Sequence, residues 1–133
     1  MKQLITIFFL TALWGNLYSQ DFNKSDCLQY HKGNFTFIDS AKNVILVKRK
    51  KKLQVQTNQT TGTWTKFRIK WNNDCEYEIK QLGTNSKGEK KNRYGTTVVI
   101  ISKPLGDAGY EYTCACKDPG TPKWKGVMNK VKD

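Results

Sequence analysis

The chain is nearly without histidine: among 133 residues there is one, His31. A Cys–His nucleophile pair would have to form there, and it would need a cysteine kept reduced. Zinc held by His31, Cys114, Cys116 and a further cysteine lacks the ligand spacing of strong zinc motifs, because a single residue separates Cys114 from Cys116. Acid is scarce as well, with 11 Asp and Glu against 23 Lys and Arg. No carboxylate pair falls on an inward strand face, which removes paired acid–base chemistry. There is no Gly-rich phosphate loop, and no cofactor is expected. Sustained helical periodicity, internal repeats and low-complexity linkers are also lacking, so helical bundles and repeat arrays are excluded. These absences favour a non-enzymatic protein.

Long apolar runs are missing too, save one at the start. Residues 1–19 combine a charged beginning at Lys2, an apolar run from Leu4 to Leu13 and a small residue at Ser19. That pattern reads as a signal peptide, cut after Ser19 and leaving one domain over 20–133. The run is too short to span a bilayer comfortably, so no transmembrane anchor is expected in the mature chain. Removing 1–19 leaves 22 basic and 11 acidic residues, a charge of +11. Such a charge attracts polyanions in general and also keeps a small exported protein soluble.

Export changes the reading of Cys27, Cys75, Cys114 and Cys116, since disulfides persist in oxidising compartments. Of the three possible pairings, the one joining Cys114 to Cys116 would need a strained short loop. Two are expected as alternatives: Cys27 with Cys114 and Cys75 with Cys116, or the reverse.

What the chain does have is period-two alternation. "NFTFID", "NVILVKR", "KLQVQTN", "TWTKFRIKW", "CEYEIKQL", "TTVVIISK" and "YEYTCACK" read as seven short strands, mostly joined by tight turns. "KWKGVMNKVKD" ends the chain as a short strand, a turn or a frayed tail. The expected fold is all-β: a disulfide-linked antiparallel meander of about seven strands, forming a small barrel or a strongly curved sheet. The stretch "KWNNDCEYEI" is expected to turn through Asn72, Asn73 and Asp74. Trp71 would then face Cys75, Ile69 would face Tyr77 and Phe67 would face Ile79. On the outer face, Lys70 would lie opposite Glu76 and Arg68 opposite Glu78.

"YHKGNFTF", the "W-x-x-x-C-x-Y" of Trp71, Cys75 and Tyr77, and the "Y-x-C" of Tyr112 and Cys114 resemble a family of small exported proteins from Bacteroidota. The resemblance covers most of the mature chain and implies export, but no activity. A topoisomerase label carried by some relatives implies nothing here, because a chain this short offers no nucleotide site and no room for strand passage. Cys116 and the lysine-rich loops depart from that family's pattern, which leaves the disulfide pairing open.

Three surfaces are candidates for function. Lys48, Arg49, Lys50, Lys51 and Lys52 form one basic cluster, and Lys87, Lys90, Lys91 and Arg93 form another, either able to contact acidic polysaccharide or nucleic acid. The first sits at an expected hairpin tip, where a solvated turn is the plainer reading. Trp64 and Trp124, flanked by Thr or Lys, could stack on sugars or bases, although the C-terminal segment is expected to cover Trp64. The aromatic face of Phe35, Phe37, Phe67, Trp71 and Tyr77 either encloses an apolar ligand or simply forms the core. A connected pocket inside the sheet would separate those two readings. The sequence thus points to a binding or envelope-associated module, with polyanion binding as the alternative.

Overall fold

The computed structural model describes residues 23–87, 95–116 and 123–132. The expected signal at 1–19 lies outside those residues. Alternating side chains build eight strands: β1 (Gly33–Ile38), β2 (Val44–Arg49), β3 (Leu53–Asn58), β4 (Trp64–Asn73), β5 (Glu76–Thr84), β6 (Thr96–Pro104), β7 (Gly109–Cys116) and β8 (Trp124–Lys130). Each pairs antiparallel with the next, and β8 returns to β1 through Phe35–Lys130 and Thr36–Asn129, so the sheet is a closed barrel. The all-β meander expected from the sequence is therefore present, with one strand more. The extra strand is the C-terminal segment, which closes the sheet through those two residue pairs with β1.

Closure depends on a side chain that is missing. Gly126 lies across from Tyr112 on β7, and a Cβ there would approach the Tyr112 hydroxyl to 2.5 Å. Glycine lets β8 pass directly beside the phenol ring. Gly109, at φ +127°, opens β7 where a side chain would collide with the Met128 carbonyl.

The "KWNNDCEYEI" hairpin forms in a different register from the one expected. Trp71 faces Tyr77, Ile69 faces Ile79, Lys70 faces Glu78 and Phe67 faces Gln81, while Arg68 lies opposite Lys80. Every pair has slipped by two residues along β5. β4 runs on to Asn73, with an irregularity after Trp71, and the turn is made by Asp74 and Cys75. The Asn73 side chain accepts the Cys75 amide at 2.9 Å and holds that turn. An even slip leaves each side chain on its original face, so the inward set survives although the partners change.

The turn explains the second difference. Cys75 is at the end of the barrel, where a short 3-10 helix, Lys24–Tyr30, brings Cys27 against it, and these two form the disulfide. Both expected pairings, Cys27 with Cys114 and Cys75 with Cys116 or the reverse, are thereby overturned. The physical reason is topological. Cys114 and Cys116 lie in the last three residues of β7, at the opposite end from the β4–β5 turn. The side chain of Cys116 lies outside the described residues.

The 3-10 helix plugs this end. Cys27 and Tyr30 are fully buried in a cluster with Phe35, Val47, Ile101, Tyr110 and Met128. Tyr30 donates its hydroxyl to the Gly106 carbonyl at 2.9 Å, fastening the plug to the β6–β7 connection. His31 hydrogen-bonds through Nε2 with the Asp74 carbonyl at 2.8 Å and stacks on Trp71, with ring centroids 3.5 Å apart.

Candidate functional site

In an antiparallel barrel, strand parity decides which side chains share the lumen. Register places Val47 and Arg49 of β2 opposite Gln56 and Gln54 of β3, and Gln54 opposite Phe67 of β4. It likewise sets Tyr77 opposite Val99, and Val99 opposite Cys114. These residues face inward and separate into two zones along the axis.

The zone beside the plug is filled. At its centre stands Arg49, 3% exposed. Its Nε donates to Gln54 Oε1 at 2.8 Å, Nη1 donates to the Tyr30 carbonyl at 2.8 Å, and Nη2 donates to the hydroxyls of Tyr77 and Tyr110, each at 3.0 Å. The guanidinium carbon lies 4.8 Å from the Phe35 ring centre and 4.7 Å from that of Tyr77. Burial works against the charge, yet the Tyr77 and Tyr110 oxygens outweigh it and hold the arginine pKa above its ordinary value. The cation thus stitches β2, β3, β5 and β7 to the plug, with aromatic faces in place of a counter-carboxylate.

The other zone is open. A cavity of about 510 Å³ is lined by Phe37, Gln54, Tyr77, Ile79, Val99 and Tyr112, with Ile38 and Trp124 at its rim. Eight-stranded barrels either fill their interior with side chains or hold one small ligand, and this volume is within the usual range for ligand sites. The lip exposes two large apolar side chains, Ile38 by 64% and Trp124 by 46%, beside Asp39, Ser40 and Lys125. Burial, with Cys114 and Tyr110 adding to it, pushes the Tyr112 phenol up to about 12. Burial also holds Tyr77 well above the ordinary tyrosine range, against the opposing pull of Arg49. Both phenols are therefore neutral donors at physiological pH.

The expected aromatic face is divided between the zones. Phe37 and Tyr77 line the cavity, Phe35 lies in the filled end and Trp71 carries His31. Phe67 faces inward and is half-buried. Trp64 is 40% exposed, because the C-terminal strand closes the barrel against β1 instead of covering it.

The described residues of the two basic clusters fall at opposite ends of the barrel. Lys48, Lys50, Lys51 and Lys52 are exposed at or beside the β2–β3 turn, on the plugged end. Lys87 is exposed between β5 and β6, on the open end, while Lys90, Lys91 and Arg93 lie outside the described residues. Arg49 does not belong to the surface cluster; it shares the inward parity of Ile45 and Val47 and is drawn into the barrel. That alternation was readable in "NVILVKR", and the run of neighbouring lysines masked it. On the plugged end Lys51, Lys52, Arg68 and Lys70 line a groove of about 590 Å³ with Leu53, Trp71 and Leu82.

Among the described residues no group of three or more His, Cys, Asp or Glu could hold a metal ion. None of the helices among them is long and apolar enough to cross a membrane. The Cys27–Cys75 disulfide suits a non-cytoplasmic setting. Comparison with protein-family models, with curated proteins and with solved structures finds no match to this chain.

Proposed function

We propose that the protein is an exported, non-enzymatic binding module that takes one small apolar molecule into the open half of its barrel. The observation carrying this reading is the cavity of about 510 Å³, bounded by side chains of the lumen and opposed by a plugged end. The apolar walls of Phe37, Ile79, Val99 and Met128 supply affinity by removing ligand surface from water, at about 25 cal/mol per Å² buried. The exposed lip of Ile38 and Trp124 gives an apolar molecule its first contact. The resemblance to exported proteins of Bacteroidota and the disulfide both support an envelope or extracellular setting.

The test is titration with N-phenylnaphthylamine, whose fluorescence rises in apolar surroundings. Ile79→Trp fills the cavity and should weaken binding at least about tenfold, since it replaces space by side chain. Ile100→Trp, on the exposed outer face, should leave binding unchanged. Absence of binding, or equal binding by the Ile79 variant, would refute the reading.

A second reading, polyanion binding, draws support from the groove where Lys51, Lys52, Arg68 and Lys70 converge beside an apolar strip. Its mark is retention on heparin that weakens steeply with salt.

A further inference from the structure

The boundary between the filled zone and the cavity carries an excess of hydrogen-bond donors. A guanidinium has five N–H groups. Arg49 directs four of them to Gln54 Oε1, the Tyr30 carbonyl and the two tyrosine hydroxyls. Both hydroxyl oxygens thus accept from Arg49, and they also bond each other at 2.9 Å. That mutual bond takes one phenolic proton; the second finds no acceptor among the described residues. The Gln54 amide is oriented by chemistry as well as geometry. An arginine Nε–H can only donate, so the amide oxygen must face it, and the NH2 is the end left to the cavity that Gln54 lines. The acceptors of the cluster are engaged, donors remain, and none of the groups that Arg49 bonds among the described residues is a carboxylate.

Buried polar groups are paired in nearly all folded proteins, and buried cations are ordinarily matched by acids. Holding the plug accounts for the contact between Arg49 and Tyr30. It does not account for a donor-rich floor under an open cavity. Building on the reading that the lumen takes an apolar molecule, we propose that this molecule ends in a carboxylate and lies head first. Its oxygens then accept from the Gln54 amide and the Tyr77 hydroxyl, above the Arg49 guanidinium. The apolar tail runs along Ile79, Val99 and Tyr112 toward the Trp124 lip. The high pKa of Tyr77 keeps its proton in place as a donor.

Calorimetric titration of the disulfide-intact protein with decanoate, decanol and decyltrimethylammonium tests this, each below its micellar concentration. Decanoate should bind at least about tenfold more tightly than decanol, as expected for charge-assisted hydrogen bonds, and the ammonium most weakly. Gln54→Glu supplies the missing acid beside Arg49 with almost no change of shape. It should lower decanoate affinity at least about tenfold, and by more than it changes decanol affinity. Tyr77→Phe, which removes one donor, should narrow the gap between decanoate and decanol even if the Gln54 variant does not fold. Equal binding of decanoate and decanol, or a Gln54→Glu protein that binds decanoate as before, would overturn the carboxylate inference and leave the lumen reading standing. Failure of all three probes would overturn both.

Discussion

Replacing Cys27 and Cys75 together by alanine removes the cross-link between the plug and the β4–β5 turn without leaving an odd thiol. The two cysteines are 48 residues apart in sequence. In the chain-entropy account, closing a loop of that size in the unfolded chain is worth about 4 kcal/mol at room temperature. The remaining attachments of the plug are modest by comparison. The Tyr30–Gly106 hydrogen bond and the His31–Asp74 contact contribute roughly 1 kcal/mol each. Loss of the disulfide should therefore lower unfolding free energy by about 4 kcal/mol, equivalent to some 15 °C in Tm for a domain of this size. Equilibrium urea unfolding of the parent and the double variant measures it. How the loss divides between slower refolding and faster unfolding reports whether the plug is already docked in the transition state, and stopped-flow kinetics separate the two. A loss below about 1 kcal/mol would refute the reasoning. It would mean that the plug is held by its packing around Tyr30 and not by the cross-link.

Stability should also fall in alkali. Tyr77 and Tyr112 have pKa values raised by burial above the 10.0 of a free phenol, Tyr112 to about 12. Above pH 10 the unfolded chain releases these protons while the folded chain keeps them, so their contribution is complete below about pH 10 and is lost as the pH rises through 12. Urea midpoints that stay flat across that interval would contradict the burial of these phenols. Lys51→Gln with Lys52→Gln should lower the salt concentration that elutes the protein from heparin, and an unchanged elution point would remove the groove from consideration.

Much of the barrel was legible because a strand writes its two faces in alternate letters. Phe67, Ile69 and Trp71 on β4 and Tyr77 and Ile79 on β5 fall inward as their spacing requires. Period two also sets the limit of that information. A slip of two residues preserves both faces, so alternation alone could not tell a turn through Asn72–Asp74 from the observed turn at Asp74–Cys75. The local bond from Cys75 N–H to Asn73 Oδ1 accompanies the second arrangement. Arg49 was misplaced for a different reason. Its charge and its lysine neighbours argued for the surface, while its parity with Val47 argued for the interior, and parity prevailed because four acceptors converge on it. Those acceptors belong to β3, β5, β7 and the plug, residues scattered along 80 positions of the chain between Tyr30 and Tyr110.

The sequence by itself determined that this is a β protein, which strand faces are apolar and that its chain carries a strong positive charge. These properties reside in neighbouring residues and in totals, and they need no knowledge of what lies across space. Tertiary structure decided that Trp124–Lys130 closes the sheet, that Cys27 reaches Cys75, and that one half of the lumen is filled while the other is open. Each of those outcomes depends on which strand ends meet. In a closed barrel that is fixed only when all eight registers are satisfied together.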